Sequence, residues 1–195
     1  MLKKFLYILI AIILGYGIYD FWNMKINFNF GEVTPGKVYK SGAMEFDLLR
    51  KRIEENNIRT VIDLREERSD RFFSEDEEKV VDAIPGVQYI NIRSPQVDTK
   101  ENFEQFFDIM DNEDSYPVLI HCYHGLGRTM LYVAIYRVEY EGMSNEEARS
   151  MTRWYPEESF IHDSSFAEGK PKGDFLINYV PRSAGDQATI NTMEK

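Results

Sequence analysis

Residues 118–140 constrain this chain more tightly than any other stretch. Val118-Leu119-Ile120 is an apolar run of strand length. Thr129 to Tyr140 is apolar at Leu131, Val133, Ala134, Ile135 and Val138, which predicts a buried or amphipathic helix. Between the two lies His121-Cys122-Tyr123-His124-Gly125-Leu126-Gly127-Arg128-Thr129, with two glycines and the only cysteine of the 195 residues. A strand that turns into a helix through such a loop turns backbone N–H groups inward at the positive end of the helix dipole. The arrangement holds anions, and the same field lowers a thiol pKa from ~8.5 to about 3.5–7.5. A thiolate facing an anion cradle is a phosphoryl-transfer site in outline.

The surrounding pattern predicts an α/β domain. Val38-Tyr39-Lys40-Ser41, Thr60-Val61-Ile62-Asp63-Leu64-Arg65 and Val87-Gln88-Tyr89-Ile90-Asn91-Ile92 read as strands. Phe46 to Asn57 reads as a helix by the spacing of Phe46, Leu49 and Ile53, and Phe103, Phe106, Phe107 and Met110 share one helix face. Ser74-x-x-Glu77 and Ser144-x-x-Glu147 are capping-box patterns; they predict helices to about Ala83 and Trp154. Strands alternating with helices argue a mostly parallel sheet flanked by helices on both faces. Asn23 to Gly36 reads as a linker, with an alternating patch at Ile26, Phe28 and Phe30 that suits an edge strand. The expected organisation is an anchor or signal segment at 1–22, a linker and edge strand at 23–36, the catalytic domain at 37–180 and a polar tail at 181–195.

The nine residues from His121 to Thr129 resemble the His-Cys-x5-Arg-Ser/Thr signature of the cysteine-dependent protein tyrosine and dual-specificity phosphatases. Two further stretches are similar to the small bacterial dual-specificity-like group, some members of which are exported. They are Val33-Thr34-Pro35-Gly36-Lys37-Val38-Tyr39-Lys40-Ser41-Gly42, with Lys40 where arginine is usual, and the Asp63-Leu64-Arg65 ending. The resemblance covers about 31–180 and is strongest at the signature. It implies that Cys122 is the nucleophile that forms a phosphocysteine. It makes Arg128 the transition-state clamp and Thr129 the hydroxyl that steadies the thiolate when the intermediate is hydrolysed. His121 becomes a loop-orienting residue that helps keep the thiol ionised. The phosphate cradle is then the backbone N–H groups of Tyr123, His124, Gly125, Leu126, Gly127 and Arg128. A lone cysteine is more often a small buried hydrophobe; the Arg and Gly-x-Gly after Cys122 argue otherwise. Rhodanese loops also carry a cysteine after a strand, but the Gly-Leu-Gly-Arg-Thr ending looks more like the tyrosine and dual-specificity group.

Expelling a tyrosine oxygen calls for a general acid, an effect worth about 10²–10⁴-fold. The family supplies an aspartate from an upstream loop, where this chain has Ser94 or Pro95. Asp98 is the nearest carboxylate of the loop Arg93-Ser94-Pro95-Gln96-Val97-Asp98. It has a second reading as the N-cap partner of Glu101. Glu101 and the later Glu157, Glu158 and Asp163 are further candidates, and His162 reads as a surface histidine.

Met1-Leu2-Lys3-Lys4 precedes an uncharged run from Phe5 to Tyr19 that Phe21-Trp22 extend past Asp20. Eighteen residues at ~1.5 Å each give roughly 27 Å, close to the bilayer core. Tyr16, Tyr19 and Trp22 suit an interfacial belt, and Lys3 and Lys4 belong on the cytoplasmic side. An uncleaved anchor is the favoured reading; a signal peptide cut after Gly15-Tyr16-Gly17 is the alternative. Both send the catalytic domain out of the cytoplasm, into the periplasm if the source is bacterial.

A net charge of −10 disfavours nucleic acid as a partner. One cysteine excludes an intrachain disulfide. His121, His124 and His162 are the only histidines and show no zinc spacing, so neither a metal nor a cofactor is called for. The loop carries no lysine, unlike relatives that act on inositol phosphates, and the acidic domain repels highly anionic substrates. The expected partner is a phosphorylated protein, with phosphotyrosine as substrate and phosphoserine or phosphothreonine as extensions. A phosphate-binding pseudophosphatase and a phosphoinositide phosphatase are the alternatives.

Overall fold

Five strands, β1 (Gly31–Thr34), β2 (Val38–Gly42), β3 (Thr60–Asp63), β4 (Gln88–Asn91) and β5 (Val118–Cys122), form one sheet in the order β1-β2-β5-β3-β4. β1 runs antiparallel to β2, and every other pair is parallel. The computed structural model describes residues 2–66, 74–95, 100–152 and 165–183. Asp98, Trp154, Glu157, Glu158, His162, Asp163 and the tail from 184 onward lie outside the described residues. The helices are α1 (Leu2–Lys25), α2 (Phe46–Glu55), α3 (Ser74–Asp82), α4 (Lys100–Met110), α5 (Arg128–Tyr140), α6 (Asn145–Ser150) and α7 (Pro171–Ile177).

Period-2 alternation along the central strand decides what lies on each face. Val118, Ile120 and Cys122 join Val38 and Ile62 in a buried cluster with Phe106 of α4, Leu131 and Ile135 of α5, Ala148 of α6 and Leu176 of α7. Tyr132 of α5 meets Phe106 edge-on at 4.9 Å between ring centroids. Leu119, one step along β5, faces the other way, with Tyr39, Val61, Leu49 and Ile53 of α2 and Val81 of α3. Each large apolar side chain buried this way stabilises the fold by about 1.5–3 kcal/mol. The mostly parallel sheet covered on both faces is the expected architecture.

Four local features differ from the sequence reading. The edge strand is Gly31–Thr34, because Phe28 and Asn29 take positive φ (53° and 54°) and turn the chain just after α1. Helix α1 continues to Lys25, through the start of the expected linker. Glu77 of α3 is buried, and its carboxylate reaches Arg65. Helix α7 is an addition, since its seven residues are too few for apolar periodicity to show. The Ser144–Glu147 capping box does form, and α6 stops at Ser150, short of Trp154.

Candidate active site

β5 delivers Cys122 to its carboxyl end, and after five intervening residues Arg128 opens α5 with Gly127 as N-cap. The loop curls tightly because Gly125 adopts φ +74° and lies against β2. A Cβ there would stand 2.6 Å from the Gly42 nitrogen and the Ser41 carbonyl carbon, so only glycine fits. Ala43 N–H donates to the Tyr123 carbonyl at 3.1 Å, holding the loop to the end of β2. Cys122, Tyr123, His124, Leu126, Gly127 and Arg128 line a cavity of about 190 Å³. A larger apolar cleft of about 510 Å³ lies between α4 and α7, lined by Phe103, Phe107 and Phe175. It shares no residue with the cysteine loop, so the smaller cavity is the one with chemistry in it.

Burial is the largest influence on the Cys122 thiol and pushes its pKa up. The Thr129 hydroxyl, the N–H groups of Thr129 and Gly125 and the Arg128 guanidinium outweigh it, and the thiol ends below its ordinary range. The Thr129 hydroxyl is buried, and its influence on the sulfur is the largest of those that lower the thiol's pKa. Arg128 is held from behind: its Nη1 donates to the carbonyls of Leu64 at 2.8 Å and Ser94 at 3.0 Å. The loop after β4, where the family places its aspartate, thus reaches the site through the backbone of Ser94.

The neighbouring side chain points to the opposite face. His121 sits among Asp63 at the end of β3, Arg65, and Glu77 of α3, all at most 2 % exposed. Its Nε2 is 2.8 Å from Glu77 Oε1 and 3.9 Å from Asp63 Oδ1. The contact with Glu77 is an ion pair poorly aligned for a hydrogen bond, so both ring nitrogens count as unpartnered by strict geometry. Arg65 donates to both carboxylates at 2.8 Å, and Tyr89 Oη donates to Asp63 at 2.6 Å. Burial works to lower the His121 pKa, but Glu77 and Asp63 overcome it and raise it. Desolvation likewise opposes ionisation of Asp63, and His121 and Arg65 hold its pKa below the usual carboxylate range. Two carboxylates and two cations therefore balance behind the loop. Ligand atoms of Asp63, Glu77 and His121 come within 4.8 Å of one another, as in a metal site, but the Arg65 guanidinium already takes the cation's place between the two carboxylates.

Two groups that the sequence reading did not single out stand at the loop. Lys172 of α7 is buried, and its Nζ lies 3.6 Å from the point a Cβ on Gly127 would occupy. It arrives there because Gly173 lets α7 close on the preceding segment; a Cβ on Gly173 would lie 2.0 Å from the Ala167 carbonyl oxygen. The run Gly169-Lys170-Pro171-Lys172-Gly173 was the available signal. Asn29 is the second: its Nδ2 donates to the His124 carbonyl at 2.7 Å. No sequence signal distinguished it from the other asparagines of its turn.

A mostly parallel α/β sheet whose central strand ends in a lowered thiol, followed by an amide loop and an arginine, defines a cysteine-dependent phosphatase of the tyrosine and dual-specificity superfamily. Residues 41–169 match the family described as DSP-PTPase phosphatase fused to NAD+ kinase, and the chain belongs to that family. Solved structures share the fold. The core catalytic domain of the PP-IP phosphatase SIW14 from S. cerevisiae is 16% identical, with 84% of this chain and 93% of that one covered at a TM-score of 0.59. A putative phosphatase (DUF442) from Shewanella putrefaciens CN-32 is 22% identical, with coverages of 76% and 88% and a TM-score of 0.57. P. aeruginosa TpbA is 18% identical, with coverages of 79% and 86% and a TM-score of 0.58. No curated protein matches the chain.

Proposed function

We propose that this phosphatase hydrolyses phosphotyrosine in proteins, with phosphoserine and phosphothreonine as secondary substrates, through a phosphocysteine intermediate. The observation that carries the reading is the lowered Cys122 thiol at the end of β5, among the amides of its own loop and under the influence of Arg128 at the start of α5. The Cys122 thiolate attacks phosphorus, and the ester oxygen leaves with a proton. The N–H groups of residues 123–128 and the Arg128 fork hold the three equatorial oxygens, where the charge is greatest. Asp98 is the proposed donor of that proton. Water then breaks the S–P bond, and the Thr129 hydroxyl stabilises the departing thiolate. His121, held by Glu77, fixes the start of the loop. The rim favours an aryl ester: Tyr123 is half-buried and Leu126 is 48 % exposed, offering ring-sized apolar surface. TpbA has been solved in complex with pTyr, which agrees with this choice, whereas SIW14 is a PP-IP phosphatase and PTPMT1 has been solved with PI(5)P.

We place the domain at a membrane. Lys3–Lys25 is one helix long and apolar enough to cross a bilayer, and its apolar stretch is not buried against the protein. With Lys3 and Lys4 retained inside, the catalytic domain stands on the non-cytoplasmic side.

The test compares wild type with Cys122→Ser and Asp98→Asn on a phosphotyrosine peptide and on an aryl phosphate with a reactive leaving group. Cys122→Ser abolishes turnover of both. Asp98→Asn slows the peptide by more than about tenfold and spares the reactive ester, as loss of a general acid requires. Turnover by Cys122→Ser refutes the mechanism, and a smaller loss in Asp98→Asn removes that residue from it.

A further inference from the structure

Helix α1 does not end in a loose tether. Three asparagines and an arginine tie its foot to the domain. Asn23 Nδ2 donates to Asn29 Oδ1 at 2.7 Å, and Asn27 Nδ2 donates to Asn23 Oδ1 at 3.1 Å and to the Phe30 carbonyl at 2.8 Å. Arg52 of α2 donates to Asn27 Oδ1 at 3.0 Å and lies over the Phe30 ring, which stacks on Tyr39. Lys40 Nζ reaches the Asn29 carbonyl, and Gly42 N–H donates to the Phe28 carbonyl at 2.6 Å. Asn27 and Asn29 are both buried. The last link is Asn29 Nδ2 to the His124 carbonyl, inside the cysteine loop itself. Met24, Lys25 and Phe28 then form one wall of a cavity of about 130 Å³ whose other wall is Tyr123 and His124, residues that also line the cleft holding Cys122.

The interfacial aromatic Trp22 precedes Lys25 by three residues, about 5 Å along a helix axis. The cysteine loop is thus fixed within a side chain's reach of the point where α1 leaves the bilayer. We propose that this clasp dedicates the site to phosphotyrosine carried by membrane-anchored proteins, on segments just outside the bilayer. The inference rests on the proposed phosphotyrosine activity and on α1 spanning the membrane. A lipid phosphomonoester is the less favoured occupant. The loop rim is aromatic and apolar, and a chain of net charge −10 is repelled by an anionic lipid surface.

A molecular ruler tests this. The full chain is placed in phosphatidylcholine vesicles with acylated phosphotyrosine peptides whose phosphotyrosine sits about three or about forty residues from the lipid, short and long flexible tethers. The comparison variant carries about fifteen residues of helical spacer between Trp22 and Asn23, which lifts the domain by roughly 22 Å and leaves the asparagine clasp intact. The native chain cleaves the short-tethered peptide at least as fast as the long one. The lifted variant loses about tenfold or more on the short tether alone, and hydrolyses free peptide and aryl phosphate at the native rate. Equal cleavage of the short tether by both chains overturns the proposal, as does faster hydrolysis of a phosphoinositide in the same vesicles. A chain active on free peptide that fails to associate with vesicles removes the anchor and this inference with it, leaving the phosphotyrosine reading standing. A chain inactive on free peptide removes that reading first.

Discussion

The cysteine loop is held from two sides by different physics. Behind it, at His121, are four groups with formal charges, Asp63, Arg65, Glu77 and His121, all at most 2 % exposed. In front, at His124, is a clasp of asparagine amides, braced by Arg52, around the foot of α1. A buried charge is tolerable only while its partners remain, so the rear support is costly to break. An amide contact contributes about 0.5–1.5 kcal/mol net and is indifferent to pH. The rear network therefore ties the loop to the stability of the whole sheet. The clasp makes its position depend on helix α1.

The largest expected effect breaks the rear network. Arg65→Ala leaves Asp63 and Glu77 facing each other without their shared cation, and lowers unfolding stability by about 3–5 kcal/mol in chemical denaturation. A loss below about 1 kcal/mol shows that the four charges do not act as a unit. A smaller effect follows from pH. The folded-state pKa of His121 is raised above its ordinary value, so its contribution is fully present below that value and is lost as pH rises through the folded pKa. Asp63 behaves in the opposite sense: its folded pKa is depressed, and its contribution is lost only in acid, as pH falls from the ordinary carboxylate range through the folded pKa. Thermal stability of the wild type declines as pH rises above the ordinary histidine range, and Glu77→Gln flattens that decline; an unchanged slope separates Glu77 from His121. The smallest effect belongs to the front. Asn29→Ala costs about 1–2 kcal/mol by removing its bonds to His124 and Asn23. That deficit is the same at every pH from about 5 to 8, the span in which histidine ordinarily titrates. A pH-dependent deficit at Asn29 erases the distinction between the two supports.

Much of the site was legible because its chemistry is local. The spacing of Cys122, Gly125, Gly127, Arg128 and Thr129 lies within one strand–loop–helix unit, and short-range sterics and the helix dipole act at that range. Fold class was legible for a similar reason, since strand and helix periods are written residue by residue. The long-range role of Glu77 was not legible: its carboxylate meets Arg65 and His121 in a dry pocket, and nothing near it in the chain indicates those partners. Lys172 and Asn29 escaped notice because nothing near them in the chain indicates which loop they touch.

The sequence alone determined a mostly parallel α/β sheet, a thiol at a strand's end followed by a glycine-bearing turn and an arginine, and an apolar helix ahead of it all. Each is an interaction between residues a few positions apart. Tertiary structure alone decided that His121 faces α3 while Cys122 faces α5, that Arg128 hangs from the carbonyls of Leu64 and Ser94, and that the foot of α1 closes on His124. Those contacts join segments up to 95 residues apart, and only packing of the whole sheet brings them within hydrogen-bond range.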